Sequence, residues 1–163
     1  MHNPFSNTII PYYMKSNLLS IVLFSFVFLI GKSTYAQSNQ KAEIEKLIFS
    51  YRDALNASDA NQIAALYTSD GVLLPNAAPT ATGLEQVKGT YQYVFDNFKY
   101  NLDFTVGEVV ITGNYAFARS TSKGSFVIKS SGQTVADENR ELFVFEKVKG
   151  QWRIARYMYN KAK

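Results

Sequence analysis

Residues Asn139–Asn160 read NRELFVFEKVKGQWRIARYMYN. Apolar and polar positions alternate on both sides of Lys149-Gly150, the pattern of two long β-strands joined by a tight turn. The register of this hairpin decides which side chains face the interior. A two-residue turn pairs Val148 with Gln151 and places Phe145, Phe143 and Glu141 opposite Ile154, Arg156 and Met158, on the face of the single tryptophan, Trp152. A three-residue loop with a bulge at Gly150 would turn Arg140, Leu142 and Val144 inward instead. The two-residue turn is favoured because it buries two phenylalanines.

The chain before the hairpin supplies the partners for that sheet. Ile44, Leu47, Ile48, Tyr51 and Leu55 recur at helical spacing and predict a first helix. Ser58 or Asp59 can cap a second, with Ile63, Leu66 and Tyr67 on its apolar face. Thr68–Gly71 then turns into a short strand, Val72–Leu74, stopped by Pro75. After a small-residue loop, Asn76–Gly83, a third helix carries Val87, Tyr91, Val94, Phe95 and Phe98 on one side. From Tyr100 the period changes from helical to alternating: Tyr100, Leu102, Phe104 and Val106 share one face, with a kink expected at Gly107. Tyr115–Ile128 forms the next strand, with Phe117 and Arg119 on a common face and Arg119 placed either inward or at the sheet edge. Three helices followed by a meander of long strands predict an α+β domain, three N-terminal helices packed on a curved, mostly antiparallel sheet.

The first residues differ in kind. Lys15 precedes an uncharged apolar run, Leu18–Ile30, and a polar segment ends at Thr34-Tyr35-Ala36. Cation, apolar run and small residue in that order predict a signal peptide over residues 1–36 and an exported domain over 37–163, with Met14 a possible true start. The run falls short of the roughly 20 apolar residues that span a bilayer, so no stable membrane insertion is expected after cleavage. Cleavage would remove the single histidine, His2, together with Lys15 and Lys32. The remaining positive charge is small and scattered, unlike the basic stripe of a nucleic-acid-binding protein. Cysteine is absent, which excludes thiol nucleophiles, disulfides and zinc-thiolate sites. Without His2, imidazole base chemistry disappears as well. No cofactor or metal site is expected; Asp137-Glu138 reads as a solvated strand entrance.

The segments YRDALNASDANQIAALYTSDGVLLP (Tyr51–Pro75) and ELFVFEKVKGQWRIARYMYN (Glu141–Asn160), in this order of elements, resemble the SnoaL-like branch of the nuclear transport factor 2-like, or cystatin-like, superfamily, which includes ketosteroid isomerase. The resemblance implies a cone whose helices and concave sheet enclose a pocket, often in a homodimer formed through the outer sheet faces. Ketosteroid isomerases use a tyrosine on the first helix, a neutral acid on a late strand and an aspartate base on the first short strand. Tyr51 and Glu141 fall at the first two places. Leu74 and Pro75 occupy the third, and neither accepts a proton.

These readings converge on a pocket for a small, largely apolar molecule. Tyr51, Glu141, Arg156 and Asn160 would hold its polar end, and Tyr67, Tyr91, Phe95, Phe104, Phe117 and Phe143 would hold the rest. Glu141, in an apolar cone, must be paired with Arg156 or protonated. One alternative is an isomerase, cyclase or hydratase with Tyr51 and Glu141 as hydrogen-bond donors. Another is a solid cone whose outer face, with Leu142, Val144, Tyr157 and Tyr159, serves as an interaction surface.

Overall fold

The computed structural model describes residues 38–162. The signal-peptide expectation, over residues 1–36, lies outside them. Three helices lie in the first half of the described chain, α1 over residues 38–57, α2 over Ala60–Ala65 and α3 over Leu84–Asn97, with two short strands between the second and the third. Six strands form one open, curved sheet: β1 Tyr67–Leu74, β2 Ala81–Thr82, β3 Phe98–Thr112, β4 Tyr115–Ile128, β5 Thr134–Val148 and β6 Gln151–Lys161. Their order is β2-β1-β6-β5-β4-β3. All neighbours are antiparallel except β1 and β6, so the short first strand reaches the sheet by lying parallel to the last. This is the expected α+β architecture.

Each helix forms where its apolar stripe and caps allow. Ile44, Ile48, Tyr51, Ala54 and Leu55 form the buried stripe of α1. At the start of α2, Asp59 caps by accepting from the Gln62 amide at 2.8 Å. The second helix is shorter than its sequence suggests: Leu66 ends it, and Tyr67 opens β1. Val87, Tyr91 and Phe95 face inward from α3. Asn56, just inside the end of α1, clamps the Leu102 backbone with two hydrogen bonds of 2.8 and 2.9 Å, tying the first helix to β3.

The hairpin has the two-residue turn. Val148 pairs with Gln151, and Lys149 and Gly150 both take positive φ, 50° and 82°, as a tight hairpin turn requires. Glu141, Phe143 and Phe145 face the interior, as that turn predicts. Their partners on β6 do not follow the simple register. Phe145 pairs with Ile154 but Val144 pairs with Arg156, so Ala155 is an extra residue, a β-bulge. Beyond it the faces of β6 exchange: Phe143 lies opposite Tyr157 and Glu141 opposite Tyr159. Arg156, Met158 and Asn160 therefore point outward, and the tyrosines expected on the outer face point in.

A second bulge, at Gly107 in β3, likewise turns Val109 onto the face of Val106 and carries Glu108 outward. Glu108 meets Arg119 there at 3.7 Å, which places Arg119 on the outer face. Gly124 marks a close approach of β4 to β3: a Cβ added there would stand 2.1 Å from the Asn101 carbonyl oxygen.

Candidate functional site

The helices and the concave face of the sheet enclose a cavity of about 700 Å³, so the cone is not packed solid. Its wall is mainly apolar and rich in aromatic rings, with Tyr51, Tyr91, Tyr100, Phe104, Phe126 and Tyr157 among the lining residues. The rim carries the loop around Ala78-Pro79 and Tyr93, which is 69% exposed. Beneath the polar part of the wall the inner face of β4 carries only small residues, Ala118, Ser120, Ser122 and Gly124. That leaves room above β5.

The polar groups gather on the inner face of β5. Asp137, Asn139 and Glu141 alternate along the strand, line the cavity and are each nearly fully buried. The Asp137 carboxylate accepts from Lys161 Nζ and, at 3.1 Å, from Asn139 Nδ2. Asn139 Nδ2 also donates to Ser122 Oγ at 3.2 Å. Glu141 has no guanidinium beside it; the Tyr157 phenol donates to its Oε2. Burial pushes the Glu141 carboxyl up to about 7, while hydrogen bonds from Ser122 and Tyr157 oppose the rise. At neutral pH it is poised between the acid and the carboxylate.

A cluster of tyrosines backs this acid. Tyr157 stacks on Phe143 with ring centroids 4.2 Å apart, and Tyr51 meets Tyr157 edge-on at 5.0 Å. The Tyr51 hydroxyl shares a 2.7 Å hydrogen bond with Tyr91. Burial raises the phenols of Tyr51, Tyr91 and Tyr157 well above the ordinary tyrosine value, so all three stay neutral donors. The Tyr67 hydroxyl is buried, with Tyr91 as its neighbour. Tyr159 is half-buried at the cavity wall, and burial raises its phenol to about 12.

The structure brings Tyr51, Tyr91, Phe104 and Glu141 of the predicted set to the cavity. Tyr67, Phe95 and Phe143 are buried in the core behind it and do not line it. Three placements change. Phe117 is 39% exposed on the outer sheet face, because β4 turns its alanines and serines inward. Arg156, carried outward by the bulge, meets Asp70 at 3.7 Å on the surface. Asn160 accepts from Arg140 Nε at 3.2 Å, also outside. The expected Glu141–Arg156 pair does not form.

Sequence reasoning missed Asp137, Asn139, Tyr157, Tyr159 and Lys161. Asp137 is 6% exposed rather than solvated. Its signal was present, since Asp137, Asn139 and Glu141 share one strand face with Phe143 and Phe145. The tyrosines were hidden by the bulge. Among the described residues no group of three or more His, Cys, Asp and Glu side chains is arranged to hold a metal ion, and no helix is long and apolar enough to cross a membrane.

Known proteins share this fold. A ketosteroid isomerase-like protein from Erwinia carotovora atroseptica SCRI1043 is 32% identical, with a TM-score of 0.72 over 75% of this chain and 95% of that one. An NTF2-like protein with a cystatin-like fold from Novosphingobium aromaticivorans superposes with a TM-score of 0.64 at 18% identity, covering 81% of this chain and 88% of its own. A domain of unknown function with a cystatin-like fold from Nostoc punctiforme PCC 73102 gives 0.63 at 17% identity over 76% and 77%. No curated protein matches. Residues 49–157, which run from α1 to the inward-turned Tyr157 of β6, match the SnoaL-like domain, and the chain belongs to that family.

Proposed function

We propose that this protein is an exported binding domain that holds a small, largely apolar molecule, polar end inward, in the cone. One observation carries the reading: a cavity of about 700 Å³ has an apolar wall rich in aromatic rings, and its buried polar side chains are concentrated on β5. Such a division of labour fits ligand sites in general, where apolar area supplies affinity and a few polar groups fix orientation. Native mass spectrometry of protein purified from its exporting host tests it. A bound small molecule that leaves on denaturation is the expected result, and protein that is ligand-free and binds no apolar probe would sink the proposal. N-terminal sequencing of the exported form should begin after Ala36.

A second reading, an isomerase or hydratase, is favoured by one specific feature: two carboxyl groups in the same cavity with different environments. Asp137, beside Lys161, is held as an acceptor, whereas Glu141 is raised to about 7. In such an enzyme protonated Glu141, backed by Tyr157, would donate to a carbonyl oxygen, and Asp137 would take the base's part that Leu74 and Pro75 leave open. Exchange of α-hydrogens for deuterium in a cyclic ketone, lost in Asp137→Asn, would separate the enzyme from the binding domain.

The outer sheet face supports a homodimer. Val110, Phe117, Leu142 and Met158 are large, exposed and on that face, an arrangement that favours a covering partner.

A further inference from the structure

Gly89 has no local reason to be glycine. It is the sixth of the 14 residues of α3, an interior helical position where glycine is one of the least favourable residues. Its backbone is helical rather than left-handed, and a Cβ built on it would meet no side chain and no other segment within 4 Å. Neither a turn nor a close backbone approach calls for glycine there. What distinguishes the position is its place: Gly89 lines the cavity at its rim.

Its neighbours turn that bare backbone into a gap. Gln86 and Tyr93, three residues before and four after, share its flank of the helix and line the cavity with it. Gln86 is fixed, because its Oε1 accepts from the Thr82 amide at 2.9 Å. Tyr93 stands in solvent, 69% exposed. A helical side chain leans over the turn that precedes it, which for Tyr93 is the turn holding Gly89. The ring does not rest there, since nothing comes within 4 Å of the Cβ position. The exposed loop residues Ala78 and Pro79 belong to the same rim.

We propose that molecules enter and leave the cone between the α3 flank and the loop around Ala78-Pro79, and that Gly89 sets the width of this doorway and so the girth of the molecule admitted. This rests on the binding reading above and adds to it the route and the residue that selects by size. A doorway lowers the barrier to exchange without touching the bound molecule, so it acts on rates and leaves affinity alone.

Stopped-flow fluorescence of the exported form with N-phenyl-1-naphthylamine, an uncharged aromatic probe, tests the route. Gly89→Phe should slow association and dissociation alike, by about tenfold or more, with Kd changed less than about twofold. Gly89→Ala is the folding control: it should raise Tm by a few degrees through helix propensity and leave Kd unchanged. Tyr93→Ala, at a solvent-facing side chain, should speed both rates. Unchanged rates in Gly89→Phe would place the doorway elsewhere, and a Kd weakened through dissociation alone would make Gly89 part of the ligand's seat; either overturns the proposal while the binding domain survives. A wild type that takes up no probe removes the binding reading and the doorway with it. Should Gly89→Phe fail to fold, Tyr93→Ala decides, and unchanged rates there overturn the doorway.

Discussion

Tyr157 donates its phenolic hydrogen to Glu141 across the β5–β6 pair, and it is placed to do so because Ala155 is one residue too many in β6. Without the bulge Tyr157 would face solvent and Arg156 would face the acid. An apolar, hydrogen-bonded setting thus replaces an ion pair. The consequence is a carboxyl group whose ordinary acidity is lost to burial.

That acidity can be read in the pH dependence of stability. Glu141 titrates near 4.5 when exposed and near about 7 in the folded protein, so between those values the native state binds more protons than the unfolded state. Stability from this group is therefore fully present below about pH 4.5 and declines as pH rises through about 7. Relative to Glu141→Gln, which cannot ionise, the wild type should lose on the order of 3 kcal/mol across that window. Urea unfolding of both proteins at several pH values checks it. Parallel curves for the two would mean that folding does not shift the Glu141 carboxyl.

Tyr157→Phe separates ring from hydroxyl. The stack on Phe143, with planes 12° apart, should survive, but the donor to Glu141 is lost. Because that hydrogen bond favours the carboxylate, its removal should move the Glu141 titration further up. Stability should fall by about 1–2 kcal/mol at pH 7. Carbon-13 titration of the Glu141 carboxyl measures the shift, and a downward movement would contradict the assigned donor.

Much of the fold was legible from periodicity. The stripe Ile44, Ile48, Tyr51, Leu55 and the alternation Leu102, Phe104 each point to one buried face, and burial follows. Lys149-Gly150 specified the hairpin turn through its chemistry. What periodicity could not reveal was the extra residue at Ala155. A bulge has no strict residue signature, and one inserted position inverts every side chain beyond it. Arg156, Asn160, Tyr157 and Tyr159 were all misplaced by that single event. Asp137 was misread for another reason: a carboxylate is ordinarily solvated, and the contact with Lys161 together with the hydrogen bond from Asn139 makes its burial tolerable.

The outer face gives a separable prediction. Phe117 and Leu142 lie on the neighbouring strands β4 and β5 and are 39% and 38% exposed. Placing a charge there adds little cost to a lone domain but disrupts an apolar contact between copies. Phe117→Asp and Leu142→Asp should each shift the protein from dimer to monomer in light scattering, with Tm changed by a few degrees at most. A wild type that is already monomeric at high concentration would remove the dimer from consideration.

The bulge itself can be tested by contrasting two changes at adjacent positions. Arg156 is 45% exposed and meets an exposed Asp70 at 3.7 Å, so Arg156→Ala should cost no more than about 0.5 kcal/mol. Deleting Ala155 acts on the same segment with the opposite severity. It restores the plain register, which turns Arg156 toward Phe143, Glu141 and the buried aromatic cluster and drives Tyr157 to the surface. The guanidinium then enters a mainly aromatic setting, and the stack on Phe143 is lost. The deletion should cost more than about 4 kcal/mol or prevent folding. Chemical denaturation and near-ultraviolet circular dichroism distinguish the outcomes. If the deletion variant folds with native aromatic signals and Arg156→Ala abolishes probe binding, the inward placement of Tyr157 is wrong, and the hairpin has the plain register with Arg156 in the pocket.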